Sequence, residues 1–228
     1  MMKKDNLKII LVILLLVIAI GAIVFKEVNS VTEDNLKFKK EYESINGNKS
    51  ASGKTIREVN IPKNNLMEYQ TAEELAKRID NKETFVVYFG FAECPWCRSV
   101  IETLISTAKE NNINKIYYVD VLEIRDIYEL NDNNELSLSR EGSKGYKKLL
   151  KQIGSVLEDY TLTTEDGESV KVGEKRIYAP NVVAVVNGKA KLLKTGISEL
   201  ETDPYMELTN SMLKDTRKQF KEVFKYMK

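Results

Sequence analysis

The strongest feature of the hydropathy pattern is an apolar run near the start of the chain, Ile9 to Phe25, in which no side chain is polar. As a helix, this run extends about 25 Å, slightly less than the hydrocarbon core of a bilayer. Lys8 and Lys26 flank the run and can reach the two interfaces. We therefore predict a transmembrane anchor at residues 9–25. A cleavable signal peptide is the competing interpretation, because Ala19 and Gly21 make a passable cleavage site.

The basic residues ahead of this run set its predicted orientation. Lys3, Lys4 and Lys8 precede it, and positive charge ahead of a first span favours a cytoplasmic N-terminus, here residues 1–8. The pattern therefore predicts a single-pass protein of the cell membrane, whose C-terminal domain lies outside the cytoplasm.

The rest of the chain divides into two parts by composition. Residues 26–53 are polar and weakly periodic, which predicts a tether with a short helix around Leu36–Tyr42. Residues 54–228 carry the remaining apolar segments and are numerous enough to bury a sizeable core. We expect these residues to form one compact domain.

Within residues 54–228, short apolar runs typical of strands alternate with segments of helical periodicity. The predicted strands are Arg57–Ile61, Thr84–Gly90, Lys115–Val121 and a hairpin of Asn181–Val186 with Ala190–Thr195 that turns at Asn187-Gly188. The predicted helices run from a capping box at Thr71 to Ile79, over Val100–Ala108 after the cysteines, and from Pro204 to Met227. This order predicts an α/β fold in which helices cover both faces of a mixed sheet.

Residues from about 122 to 175 interrupt this alternation. They contain a predicted helix, Tyr146–Leu157, and a predicted accessory hairpin, Tyr160–Val172. The acidic stretch ahead of them lacks the spacing of a calcium loop, so we interpret it as exposed surface. The segment is therefore predicted to be an inserted helix plus hairpin, without a recognisable catalytic constellation.

Composition narrows the chemistry that this chain can perform. With 35 Lys+Arg against 34 Asp+Glu, the formal net charge of +1 gives no electrostatic reason to expect nucleic-acid binding. The chain has no His and 2 Cys. Ser-His-Asp and Cys-His nucleophile systems are therefore excluded, as are zinc sites with His ligands. We predict no metal and no bound cofactor.

The two cysteines, Cys94 and Cys97, lie between a predicted buried strand and a predicted amphipathic helix. The first sulfur would meet unpaired backbone N–H groups and the positive end of the helix dipole, which stabilise a thiolate. The second lies one turn deeper, where it can resolve a mixed disulfide. We therefore predict a redox-active disulfide in which Cys94 attacks and Cys97 resolves. Two other interpretations are weaker. A purely structural disulfide would add little stability, because the loop between the two cysteines is so short. Half of an intermolecular metal site would need a second chain to complete it.

Neighbouring side chains complete the predicted site. Pro95 restrains the first turn of the helix, and Trp96 offers an apolar surface to a partner. Arg98 is predicted to help stabilise the Cys94 thiolate, and Glu93 is predicted to oppose it.

Two segments, FVVYFGFAECPWCRSVIETL and IYAPNVVAVVNGKAKLLKTG, resemble the thioredoxin superfamily. The resemblance covers roughly Arg57–Met227, apart from the insertion, and implies a thioredoxin-like three-layer α/β/α sheet. It also implies that Pro180 is a cis-proline against the cysteine pair and that the backbone around Ala179 pairs with an extended substrate segment. The anchored form resembles extracytoplasmic thioredoxin-like proteins of Gram-positive bacteria, among them some called bacteriocin transport accessory proteins.

The chain departs from the superfamily pattern in its proton-handling residues. Thioredoxins bury an Asp beneath the cysteine pair, where this chain has Tyr88, and they kink the following helix with a Pro, where it has Glu102. The Cys-Pro-aromatic-Cys sequence is more similar to glutaredoxins than to typical thioredoxins. These departures bear on proton transfer and redox direction, and leave the class of reaction unchanged.

The expected function is a membrane-anchored thiol–disulfide oxidoreductase that exchanges disulfides with protein substrates outside the cytoplasm. A reducing role would also require electrons from a membrane partner, because the external compartment is oxidising. The alternative is a non-catalytic interaction module of the same fold that serves a secretion or envelope assembly. A glutathione-dependent glutaredoxin is disfavoured by the external location.

Overall fold

The computed structural model of the chain describes Ile10, Ile13, Leu14 and residues 31–228. The predicted anchor therefore lies outside the described residues, except at those three positions. Across the described part of the chain, no helix combines the length and the apolar content needed to cross a bilayer.

The described elements alternate between helices and strands, and two-stranded sheets lie within the insertion. In chain order they are α1 (Glu33–Glu43), β1 (Met67–Tyr69), α2 (Ala72–Asp80), β2 (Phe85–Gly90), α3 (Pro95–Glu110), β3 (Ile116–Asp120), β4 (Ile127–Leu130), β5 (Leu136–Arg140), α4 (Lys144–Ile153), β6 (Glu158–Thr163), β7 (Ser169–Arg176), β8 (Asn181–Val186), β9 (Lys189–Lys194) and α5 (Asn210–Phe224). Short 3₁₀ turns follow α4 and α5.

A five-stranded mixed sheet forms the centre of the described residues, in the order β1-β3-β2-β8-β9. Strands β1, β3 and β2 are parallel, whereas β8 is antiparallel to β2 and β9 is antiparallel to β8. All six residues of the central strand β2 are buried, as expected for a strand covered on both faces. The hairpin turn between β8 and β9 has positive φ at Asn187 and Gly188, the backbone that its Asn-Gly sequence predicts.

The two faces of the sheet carry separate apolar clusters, because successive residues of a strand point to opposite sides. On one face, Tyr88 of β2 packs in a cluster with residues of α1, α3 and α5. On the other face, Val87 and Phe89 pack in a cluster with residues of α2 and α4. The α/β prediction is therefore confirmed at the level of a mixed sheet with helices on both faces.

Polar caps fix where the helices begin. Thr71 caps α2 through the predicted capping box with Glu74. The prediction that the last helix begins at Pro204 is wrong, because the Thr209 side chain accepts the N–H of Met212 and caps α5 there. The carbonyl of Pro204 instead accepts from the Arg57 guanidinium.

The predicted strand at Arg57–Ile61 is also wrong, although Val59 and Ile61 are buried as its pattern requires. The backbone N–H of Val59 donates to the side-chain oxygen of Asn46 at 3.0 Å, and that of Ile61 donates to the Glu43 carboxylate at 2.8 Å. Because side chains satisfy these backbone groups, the segment needs no neighbouring strand.

The predicted tether is a folded part of the structure from Glu33 onward. Helix α1 extends the predicted short helix, and Phe38 and Tyr42, four residues apart on one face, are both fully buried. Their rings stack with centroids 4.4 Å apart. An aromatic pair at helical spacing therefore packs α1 onto the sheet.

The insertion contains the predicted helix, shortened to α4, and the predicted accessory hairpin as β6 and β7. The hairpin of β4 and β5 was not predicted. It packs through Tyr128, whose ring centroid lies 5.8 Å from that of Tyr160 in β6. Two leucines of β5 remain exposed, Leu136 at 38% and Leu138 at 48%.

Candidate active site

The junction of β2 and α3 positions the two cysteines. The buried strand ends at Gly90, and α3 begins four residues after Phe91 with Cys94 as its N-cap and Pro95 in its first turn. Proline suits this position, because the first backbone N–H groups of a helix have no partner within it. The prediction that the pair opens an amphipathic helix is confirmed.

The two sulfurs lie in different surroundings. Cys94 is 4% exposed, and its Sγ accepts the backbone N–H of Cys97 at 3.3 Å. Cys97 is fully buried beneath it. Both cysteines are free thiols in this structure. Cys94 is therefore the outer sulfur of the pair and Cys97 the inner one.

The two thiols have opposite pKa shifts. The pKa of Cys94 is lowered, above all by the hydrogen bond that the Cys97 thiol donates to it, with further contributions from the backbone N–H groups of Cys97 and Trp96. Burial raises the pKa of Cys97 well above its ordinary value. Cys94 is thus the sulfur that more readily becomes a thiolate, as the sequence predicts.

The prediction that Arg98 supports the thiolate is not met, because its guanidinium lies in the core. The side chain is 2% exposed and donates to the carbonyls of Arg57 at 2.6 Å, Tyr42 at 2.9 Å and Ala92 at 3.1 Å. It also donates to the side-chain oxygen of Asn46. Arg98 therefore joins α1 and the segment after it to α3.

Glu93, predicted to oppose the thiolate, has its side chain exposed to solvent.

The cation that favours the Cys94 thiolate is Arg125, which sequence reasoning missed. Its positive charge contributes to the lowered pKa of Cys94. The half-buried guanidinium lies over the Phe91 ring, 5.1 Å from its centroid, and its Nε has no partner in the described residues. Arg125 lies near the start of the insertion, in the loop between β3 and β4. No local sequence signal indicates that this loop folds back to the cysteines.

The loop before β8 lies against the outer sulfur. The Cys94 thiol donates to the Ala179 carbonyl at 3.4 Å, and the Ala179-Pro180 peptide bond is cis. With its amide oriented to satisfy both groups, the side chain of Asn181 donates to the Pro180 carbonyl and accepts from the Tyr178 N–H. The structure therefore brings Ala179 and Pro180 to Cys94, as the resemblance implies.

The remaining predicted residues lie around this contact. Pro95 and Trp96 are half-buried, and Trp96 packs with Ala179 against the same apolar cluster. Tyr88 is fully buried on the α3 face of the sheet, and the Glu102 carboxylate accepts the N–H of Asn60. Trp96 and Ala179 therefore form a partly exposed apolar surface beside the cysteines.

We expect the Cys94 thiolate to persist to lower pH in the folded chain than in the denatured chain. As the pH falls through the lowered pKa of Cys94, the thiolate is protonated, so alkylation by iodoacetamide slows. Alkylation rates across a pH series, resolved by mass spectrometry, should therefore give a lower midpoint for the folded chain. Cys97→Ala should raise this midpoint more than Cys97→Ser, because serine keeps a donor. Equal midpoints in the folded and denatured chain would contradict the lowered pKa.

The arrangement can carry out two successive thiol exchanges, since a thiol with a lowered pKa at the start of α3 lies next to a fully buried resolving thiol. The chain matches no protein-family model and no curated protein sequence.

Proposed function

We propose that the chain is a membrane-anchored thiol–disulfide oxidoreductase of thioredoxin type, which exchanges disulfides with protein substrates outside the cytoplasm. The observation that carries the proposal is the placement of Cys94 and Cys97. The chain's 2 Cys stand together at the first turn of α3, the outer sulfur with a lowered pKa and the inner one with a raised pKa.

The reaction would take place in two steps. The Cys94 thiolate attacks one sulfur of a substrate disulfide, and the other substrate sulfur leaves with the electron pair as a thiolate. Cys97 then attacks Cys94, forming the Cys94–Cys97 disulfide and releasing the substrate as a dithiol. The reverse sequence oxidises a substrate dithiol, and the relative reduction potentials set the direction.

Substrate positioning would fall to the loop before β8. The contact between the Cys94 sulfur and the Ala179 carbonyl brings this loop to the reacting atom. An extended peptide that pairs with the Ala179 backbone would present its cysteine to Cys94, with Trp96 supplying apolar contact. This supports a protein substrate in preference to a small free disulfide.

The thioredoxin-type assignment and the membrane location are parts of the same proposal. The mixed sheet, the cysteine pair at the start of α3 and the proline ahead of β8 agree with what the sequence resemblance implies. The apolar run of residues 9–25 supports an anchor, and the lysines ahead of it support an external domain.

The test is covalent trapping of substrates. In Cys97→Ser, attack by Cys94 should stop at the mixed disulfide, so proteins should remain attached in a form that dithiothreitol releases. The control is the Cys94→Ser, Cys97→Ser double variant, which lacks the nucleophile. We expect many-fold more captured protein on the single variant, measured by mass spectrometry after non-reducing purification. Equal capture on the two variants would reject exchange with protein substrates.

A second candidate function is a non-catalytic interaction module serving a secretion or envelope assembly. The observation that favours it is the exposure of Leu136 and Leu138 on the β4–β5 hairpin. An interaction module predicts no excess capture on Cys97→Ser, and it predicts full cellular function for the double cysteine variant. The trapping experiment therefore separates the two candidates.

A further inference from the structure

The resolving sulfur of Cys97 has to become a thiolate inside the core before it can attack the mixed disulfide. Its side chain is fully buried, and burial raises its pKa well above the ordinary value. A group that stabilises this thiolate would therefore speed the second step of the proposed reaction. The inference below rests on the proposed function and names that group.

Tyr88 and Cys97 are neighbours in one fully buried cluster. Tyr88 lies in the middle of β2, with its fully buried side chain in the same cluster as Cys97. Burial raises the pKa of Cys97, and the hydrogen bond from Tyr88 acts in the opposite direction. A side chain at position 90 would collide with the hydroxyl end of Tyr88, so Gly90 leaves the space that this contact needs.

A second tyrosine orients the first. The hydroxyl oxygens of Tyr42 and Tyr88 are 2.9 Å apart, and both side chains are fully buried. Tyr42 comes from α1, and Arg98 holds its backbone carbonyl at 2.9 Å. Burial raises the pKa of both tyrosines well above the ordinary value, so both remain neutral hydroxyl donors.

We propose that Tyr42 and Tyr88 form a donor chain in which the Tyr88 hydroxyl, oriented by Tyr42, donates a hydrogen bond to the Cys97 thiolate and accelerates release of the substrate. Tyr88 contacts a reacting atom, and Tyr42 is a positioning residue. A hydroxyl pair thus takes the place at which thioredoxins bury an Asp, and α1 becomes part of the active site.

The second step, in which Cys97 attacks the mixed disulfide, needs no further reactant. Cys97 loses its proton, its sulfur attacks Cys94 in the mixed disulfide, and the Cys94–Cys97 bond forms. The bond between Cys94 and the substrate sulfur breaks, and that sulfur leaves with the electron pair and takes up a proton in place of the one lost by Cys97. Tyr88 stabilises the negative charge on Cys97 and keeps its own proton.

Other titratable or charged groups lie around this sulfur and the two hydroxyls. They are Cys94 and Arg98 at α3 and Tyr118 on β3, and Glu41 on α1 interacts in turn with Tyr118. Glu41 accepts hydrogen bonds from the hydroxyls of Tyr118 and Tyr69, so these tyrosines do not donate to Cys97.

The test separates the two steps in the reduced full-length chain with dithiobis(nitrobenzoate) as the probe disulfide. Attack by Cys94 releases the first coloured thiolate at a rate that rises with probe concentration. Attack by Cys97 releases the second at a rate independent of probe concentration. We measure both rates from about pH 6 to about pH 11, a range that extends above the ordinary pKa of a thiol because the pKa of Cys97 is raised.

We expect Tyr88→Phe to slow the second release about tenfold near neutral pH, because a hydrogen bond to a charged group is lost. The second-release rates of Tyr88→Phe and of the unsubstituted chain should approach each other as the pH rises, because a growing fraction of Cys97 is deprotonated in either protein. Tyr42→Phe should slow the same step less, with the same convergence. The matched control is Tyr118→Phe, a fully buried ring in the same cluster whose hydroxyl bonds to Glu41 instead; we expect its second release to match that of the unsubstituted chain.

An unchanged second release in Tyr88→Phe would overturn the inference. Slowing by the same factor at every pH would also overturn it, because that result indicates that the substitution moved the two sulfurs apart and did not change the protonation of Cys97. Should Tyr88→Phe fail to fold, Tyr42→Phe tests the same chain of donors, and an unchanged pH profile there would overturn it. The first release reports the proposed function independently. If Cys94 reacts no faster than in the denatured chain, the proposed function fails at that step, before resolution is reached.

Discussion

In the Cys94→Ser variant, the rate at which insulin disulfides are reduced should fall to the rate with dithiothreitol alone. The expected loss is complete, because Cys94 is the sulfur with the lowered pKa and the contact to the Ala179 carbonyl. The buried Cys97 thiol cannot replace it, since burial raises its pKa well above the ordinary value. The measurement is the turbidity of precipitating insulin chains, with the purified full-length chain in mild detergent.

The matched control for this assay is Ser106→Ala, a change on the same helix about three turns from the cysteine pair. We expect it to retain the activity of the unsubstituted chain. Full activity of Cys94→Ser would reject this residue as the nucleophile, and it would also remove the basis for the two-step reaction.

The second large effect concerns stability. Arg98→Ala should lower the free energy of unfolding by about 3 kcal/mol or more, because it leaves buried carbonyl groups without a donor and opens a cavity. The orphaned acceptors are the carbonyls of Arg57, Tyr42 and Ala92, and the side-chain oxygen of Asn46 loses one of its two donors. In a domain of this size the loss should appear as a Tm lower by roughly 6 to 12 °C in thermal unfolding followed by circular dichroism.

The control for this stability measurement is Arg217→Ala. Arg217 forms an ion pair with Glu110, and both side chains are well exposed. Exposed pairs contribute little, so this change should alter the free energy of unfolding by no more than about 0.5 kcal/mol. Equal effects of the two substitutions would show that the Arg98 contacts do not hold α1 and α3 together.

Local patterns in the sequence predicted the elements that position the cysteines. A buried β-branched and aromatic run predicted β2, the pair at the start of an amphipathic segment predicted the N-terminus of α3, and Asn187-Gly188 predicted the β8–β9 turn. Each of these features depends on residues that are neighbours in the chain. Periodicity and turn chemistry therefore suffice to predict them.

Contacts between distant parts of the chain were beyond the same reasoning. The direction of the Arg98 guanidinium depends on carbonyls 41 and 56 residues earlier in the chain. Arg125 reaches the site only because the insertion folds back over Phe91. At Val59 and Ile61 the alternating pattern correctly indicated burial, but the side chains of Asn46 and Glu43 replaced the strand partner that such a pattern suggests.

The packing of α1 limits how far the proposed catalyst can work from the bilayer. If residues 9–25 cross the membrane as proposed, only residues 26–32 separate the lipid from helix α1, and a fully extended segment of this length spans about 25 Å. A free segment through residue 53 would have reached roughly four times as far. Clients would therefore have to bring their disulfides close to the lipid headgroups, which favours newly exported or membrane-bound polypeptides over proteins diffusing at a distance.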